Sequence, residues 1–248
     1  MSDICYSKNF LKEVVSKVDF AQPISEILKD GLPQSIIDRI KERFPLAESS
    51  KGQIQNVEFS ATGAKTTSSE FAQWVFHGID RSKTIVINPH FITVSLKKYN
   101  SLEDFQEDLI GPISKIVALR NNIQIQRTGV RFVNVFENIT EYDDIERYFT
   151  PMISCLYRNI YRINDCTRNV TVTEYLNDDM KIRLQSGIFN PDYPAKILRK
   201  HFVIDIDAYV DYPHVISNVQ EYFTKFHSAI QELFEYCITA EMREYLNE

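Results

Sequence analysis

The most informative shortage in this sequence is glycine. Only seven glycines occur among 248 residues, and they stand far apart. A Walker-type phosphate loop and a dinucleotide-binding turn each need closely spaced glycines, because backbone amides must approach the phosphates without a side chain in between. The sequence also has no Gly-x-Ser-x-Gly elbow and no His-Glu-x-x-His pair. These shortages argue against a nucleotide-loop enzyme, a serine hydrolase and a zinc protease.

Cysteine, positive charge and long apolar runs are also scarce. The four cysteines are widely scattered, which favours reduced thiols over a disulfide framework or a zinc site. A net charge of -6 argues against nucleic acid as a partner, since phosphate neutralisation needs a basic face. No apolar run approaches the roughly 20 residues needed to span a bilayer, and the first residues do not form a signal peptide. We therefore expect a cytoplasmic protein with no membrane partner and no cofactor.

Apolar periodicity predicts an α+β fold with an antiparallel sheet. Alternation predicts strands at residues 11–20 and 201–212, and a hairpin in which residues 71–78 pair with residues 84–97. Spacings of three and four predict two long amphipathic helices, one starting at Ser101 and one ending near Cys237. We expect both helices to pack on one face of the sheet.

The chain reads as a single α+β domain over residues 1–248. A stretch rich in Ser, Thr, Gly and Lys, at about residues 47–69, predicts a flexible exposed loop, with a strand at QNVEFS, residues 55–60, as an open alternative within it. Residues 70–137 and 168–239 share one plan, in which antiparallel strands are followed by a long helix. This shared plan favours an internal duplication.

Two strands carry charges of opposite sign. In RTGVRFVN, a period of two places Arg127 and Arg131 on one face of the strand and Asn134 on the other. In HFVIDIDAYV, the same period places Asp205 and Asp207 on one face. We predict that one of these aspartates lies within ion-pair distance of one of the two arginines. The candidate binding or structural charge cluster therefore comprises Arg127, Arg131, Asn134, Asp205 and Asp207.

These motifs resemble those of an uncharacterised, sporadically distributed prokaryotic family of about this length. Its signatures are an Arg-x-Gly-x-Arg-x-x-Asn strand and a later Asp-x-Asp strand, here beginning at Arg127 and Asp205. Ile204 replaces a leucine expected just before the second motif. The resemblance covers nearly the whole chain and implies a single full-length unit without an established activity. A patchy distribution is compatible with a defence or toxin-antitoxin setting.

Two functions of different class follow from these observations. The favoured one is a non-catalytic binding module for a protein partner or small ligand, with no catalytic and no metal-ligating residue. The alternative is a metal-dependent phosphoryl or nucleotidyl transfer enzyme, in which Asp205 and Asp207 hold Mg²⁺ while Arg127 and Arg131 grip phosphates. Such an enzyme would also need a third carboxylate, for which Asp211 is the candidate, and a nucleotide loop, which is missing.

Overall fold

A computed structural model of the chain describes residues 6–60, 63–119, 122–137, 139, 141–162, 165–194 and 201–248. The strands are β1 Leu11–Phe20, β2 Leu46–Ser60, β3 Gly63–His77, β4 Lys83–Ile87, β5 Phe91–Leu96, β6 Gln124–Phe136, β7 Asn169–Asn177, β8 Met180–Phe189, β9 His201–Val210 and β10 His214–Val215. The α-helices are α1 Ser25–Asp30, α2 Gln34–Lys41, α3 Leu102–Leu119, α4 Tyr142–Tyr148, α5 Pro151–Ser154, α6 Val219–Cys237 and α7 Ala240–Asn247.

All ten strands belong to one antiparallel sheet. The strand order is β2-β3-β4-β5-β1-β6-β9-β8-β7, and the short β10 pairs with the beginning of β6. Strands β1 and β6, which are distant in sequence, therefore pair at the middle of the sheet. The predicted α+β class with a large antiparallel sheet is confirmed.

Alternating side chains determine which side of the sheet is buried. In β9, Phe202, Ile204 and Ile206 are almost completely buried. The long helix α6 contacts β6 and β9, and α3 contacts β5. The two helices also touch each other, since the rings of Phe105 and Phe223 lie 4.8 Å apart. No helix of the described residues is long and apolar enough to cross a bilayer.

The prediction of a loop at residues 47–69 is wrong about the backbone. Strands β2 and β3 form a long hairpin that pairs continuously from Leu46 opposite His77 to Ser60 opposite Gly63. Its Ser and Thr residues suggested a loop, but threonine is β-branched and is common in strands. Antiparallel pairing also satisfies backbone donors and acceptors that a loop would leave to water.

The prediction of one strand over residues 84–97 is also wrong, because this stretch contains the two strands β4 and β5. Between them lies Asn88, whose Oδ1 accepts hydrogen bonds from the backbone amides of His90 at 2.7 Å and Phe91 at 3.0 Å. Asparagine commonly forms such local turns, and Pro89 lacks the amide that a continuous ladder would need.

Candidate functional site

The two charged motifs lie on the paired strands β6 and β9. Arg131 is directly opposite Asp207, and Val133 is opposite Asp205. These side chains point away from the buried side of the sheet, because their neighbours Ile204 and Ile206 fill the core. We call the surface that carries Arg127, Arg131, Asp205 and Asp207 the charged face.

The predicted ion pairing is confirmed, and its strongest member joins Arg131 to Asp205. Arg131 Nε donates to Oδ1 at 2.7 Å and Nη2 donates to Oδ2 at 2.6 Å, so both carboxylate oxygens are held by one guanidinium. The side chain of Asp205 is only 8% exposed, whereas that of Arg131 is 46% exposed. The hydrogen bonds that Arg131 donates to Asp205 raise the pKa of Arg131, which keeps the guanidinium charged.

A second ion pair joins Arg127 to Asp207. Arg127 Nη2 donates to Oδ2 of Asp207 at 3.0 Å, and the guanidinium lies 4.5 Å from the ring centre of Tyr209. The arginine side chain passes over Gly129, where a Cβ atom would lie 3.0 Å from its Nη1 and from the Cβ of Tyr209. A side chain at this position would therefore push against both neighbours, which explains the glycine in the motif.

Asp207 is less well compensated than its neighbour Asp205. Burial raises the pKa of Asp207, although the positive charges of Arg127 and Arg131 act in the opposite direction. Arg183 on β8 lies directly opposite Asp207 and also lowers this pKa. Arg183 was not among the predicted site residues, although the alternation of Lys181, Arg183 and Gln185 along β8 indicates a third charged strand.

Asn134 does not join the charge cluster to which it was assigned. It lies on the opposite side of β6, as the strand period requires, where it lines a cleft of about 210 Å³. This cleft also contains Phe132 and His227, and the Nε2 of His227 is 3.2 Å from the hydroxyl of Tyr99. The Arg-x-Gly-x-Arg-x-x-Asn motif therefore supplies residues to two different surfaces.

The cluster fits a divalent cation poorly. Each aspartate is already bound by an arginine, and Asp211 lies outside the cluster, where it forms an ion pair with Lys181 at 2.7 Å. Within the described part of the chain, no group of three or more His, Cys, Asp or Glu side chains could hold a metal ion. A cation at Asp205 would have to displace a bidentate guanidinium.

A cleft of about 290 Å³ opens on the charged face beside the Arg131 and Asp205 pair. Its walls include Val133 and Val135 from β6 and Val203 from β9. Arg131 uses Nε and Nη2 for Asp205, and no described residue accepts a hydrogen bond from its Nη1. The site thus combines an apolar wall with a fixed, half-exposed hydrogen-bond donor.

Comparison with known proteins adds no relative from which a function could be transferred. The chain matches no protein-family model and no curated protein sequence.

Proposed function

We propose that the protein is a non-catalytic binding module that holds its ligand or partner in the cleft on the charged face. The observation that carries this proposal is the position of Arg131 at the edge of that cleft. Asp205 fixes the plane of the guanidinium through two short hydrogen bonds. A guanidinium held in this way is pre-oriented for a second acceptor group.

The chemistry of the cleft defines the kind of group that it would take. Valine side chains favour an aliphatic group, and Nη1 of Arg131 favours a carboxylate or another anionic acceptor. A free acid with an aliphatic chain and an acidic segment of a protein partner share this chemistry. The partner is therefore recognised through an aliphatic group next to a negative charge.

A rigid support would help such a cleft to bind without reorganisation. We infer that α3 and α6 both pack on the side of the sheet opposite the charged face. The contact between Phe105 and Phe223 supports this arrangement, as do the contacts of α6 with β6 and β9. The charged face would then remain uncovered by these two long helices and accessible to a partner.

The alternative, metal-dependent phosphoryl or nucleotidyl transfer, is less well supported. It requires Asp205 and Asp207 to coordinate a cation, but both carboxylates are engaged by arginines. Membership of the sporadic prokaryotic family, a cytoplasmic location and a defence or toxin-antitoxin setting remain proposals that rest on sequence.

Titration of the full chain with small aliphatic acids tests the proposed cleft. The probes are a series from acetate to hexanoate and the matching primary alcohols, followed by NMR of the valine methyl groups and the arginine Nε–H. We expect affinity to rise with chain length for the acids, with signals of Val133, Val203 and Arg131 shifting together. The alcohols should bind more weakly because they lack the charge that Arg131 pairs with.

Two matched variants separate the cleft from the rest of the charged face. Arg131→Lys keeps the charge but loses the planar fork, and should weaken acid binding about tenfold. Arg127→Lys alters an ion pair on the same strand and face but outside the cleft, and should leave binding within about twofold. Equal effects of the two substitutions, or equal binding of acids and alcohols, would contradict the proposal.

A further inference from the structure

Strand β7 forms one edge of the sheet and has an unusual composition for an exposed edge. It pairs with β8 on one side, and no described residue outside β8 hydrogen-bonds to its backbone. Natural edge strands avoid association through lysine, proline, bulges or a covering segment. Residues 169–177 contain neither lysine nor proline, and Glu174 is their only charged residue.

Apolar side chains are exposed along this edge. Val170 is 37% exposed, Val172 is 48% exposed and Leu176 is 71% exposed. All three belong to the charged face, because Val170 lies opposite Gly187 and Val172 lies opposite Gln185 on β8. A paired strand on the free side of β7 would cover part of this apolar surface and satisfy the unpaired backbone groups.

We propose that β7 pairs with β7 of a second copy of this chain, antiparallel and about a two-fold axis at Thr173. The argument is self-complementarity of the sequence about this residue. In that register Val170 lies opposite Leu176 of the second copy, and Asn169 lies opposite Asn177. Val170 and Leu176 thus form an apolar pair on each side of the axis, whereas Val172 lies opposite Glu174 of the second copy.

Charge complementarity favours the same register. Arg168 and Asp178 immediately flank β7, both are exposed, and neither forms an ion pair with a described residue. With the axis at Thr173, Arg168 of each copy lies at the end of the pairing where the other copy has Asp178, the first residue of the turn between β7 and β8. Moving the axis by one residue to Glu174 would place two like charges directly opposite each other, which is destabilising.

The dimer would have a consequence for the charged face. A two-fold axis in an antiparallel edge pairing runs perpendicular to the sheet, so the charged faces of both copies lie on the same side. Val170 and Arg168 line the cleft next to Arg131, and Leu176 of the second copy would lie beside them. Pairing would therefore complete one wall of each cleft and present two clefts on a continuous surface.

Sedimentation equilibrium of the full chain, combined with charge exchange, tests this proposal. We expect a reversible monomer–dimer equilibrium that Arg168→Asp or Asp178→Lys weakens about tenfold, because each change creates two like-charge contacts. The double variant with both changes should recover most of the affinity. Lys41→Asp, an equal charge change on α2 far from β7 in sequence, should have little effect.

Cysteine cross-linking measures the position of the two-fold axis directly. Residues that are directly opposite on antiparallel strands have Cα atoms about 4.5–5.5 Å apart, which a disulfide can span. Thr173→Cys should therefore form a disulfide with itself across the axis under mild oxidation. Thr171→Cys should not, because Tyr175 would lie opposite it. Peptide mapping distinguishes these bonds from bonds of the native cysteines.

Several results would overturn the proposal. These are a monomer at every accessible concentration, a dimer that the charge changes do not affect, and cross-linking at residue 171 in preference to residue 173. If the variants fail to fold, hydrogen exchange of the wild-type chain replaces them. Amide protection in β7 that rises with protein concentration would support the dimer, and protection that does not change would contradict it.

Discussion

At the scale of single residues, the two ion pairs of the charged face differ in the surroundings of the carboxylate that remains when its arginine is removed. Asp205 has almost no access to water, so removing Arg131 leaves a carboxylate that is buried and unpaired. The side chains of Arg127 and Asp207 are 28% and 23% exposed. When Arg127 is lost, Asp207 still has the positive charges of Arg131 and Arg183 beside it.

This difference predicts unequal losses of stability. Arg131→Gln should lower the free energy of unfolding by about 3 kcal/mol. Arg127→Gln should lower it by only about 1 kcal/mol, as for a partly exposed pair. Urea denaturation of both variants measures the two values. Losses of similar size would mean that the bidentate geometry and the burial of Asp205 do not matter for stability.

The raised pKa of Asp207 predicts a specific pH dependence. Burial makes this carboxyl group bind its proton more tightly in the folded chain than in the unfolded chain. Its contribution to stability is therefore fully present below the pKa of the unfolded chain, about 3.9, and is lost as pH rises through the raised folded value. The charged form of Asp207 is thus a cost at neutral pH.

The variant Asp207→Asn isolates this effect because asparagine does not titrate. Relative to Asp207→Asn, wild type should become less stable as pH rises above about 4. Chemical denaturation at several pH values measures the difference. A difference that grows in favour of wild type with rising pH would show that the arginines, and not burial, dominate at this carboxylate.

At the scale of elements, the hairpin of β2 and β3 extends beyond the rest of the sheet. Strand β3 pairs with β4 only over Trp74–His77, so the preceding part of β3 has β2 as its only strand partner. Two strands that pair only with each other are marginally stable in water. The outer part of this hairpin should therefore contribute little to the stability of the whole chain.

Deleting residues 51–72 and closing the strands with an Asn-Gly turn tests that expectation. The free energy of unfolding should change by less than about 1 kcal/mol, since a shorter connection also lowers the entropy cost of closure. Denaturation curves of the shortened and full chains measure the change. A much larger loss would indicate that the outer hairpin packs against another part of the molecule.

The sequence was sufficient to predict an element where one apolar periodicity extends along most of that element. Strand β1 begins and ends at the predicted residues, and β9 begins at the predicted His201 but ends at Val210, before the predicted Tyr212. Composition misled in β2 and β3, where pairing and not apolar patterning determines the backbone. Ion pairing was predictable because both motifs keep their charges on one side of a strand. The alternation along β8 indicates that Arg183 belongs to a charged strand, but its position opposite Asp207 follows only from the pairing of β8 with β9.

At the scale of the whole molecule, the order of elements repeats around the central strands. The first half contains, in order, β1, α1, α2, a meander that ends in β5, and α3. The second half contains, in order, β6, α4, α5, a meander that ends in β9, and α6. We propose that the duplicated units run from about β1 to α3 and from about β6 to α6. These limits differ from the predicted 70–137 and 168–239, because each unit begins with a central strand.

This arrangement places the charge cluster near the junction of the proposed units. Strands β1 and β6 pair at the junction, and the cluster occupies β6 and its neighbour β9. The first unit has no matching cluster at the corresponding place, since the side of β1 that faces the same way carries Val15, Lys17 and Asp19. The charged cleft is therefore a feature of the second half of the chain.

The two proposed function classes differ in how the whole chain should respond to divalent cations. An enzyme that uses Asp205 and Asp207 would gain binding energy from Mg²⁺ or Mn²⁺, and a bound ion would stabilise the fold by mass action. In the binding module, a cation must compete with guanidinium groups that are already in place and carry the same sign of charge. We expect calorimetry of the full chain to detect no micromolar binding of either ion. Micromolar binding that Asp205→Asn abolishes would favour the enzyme.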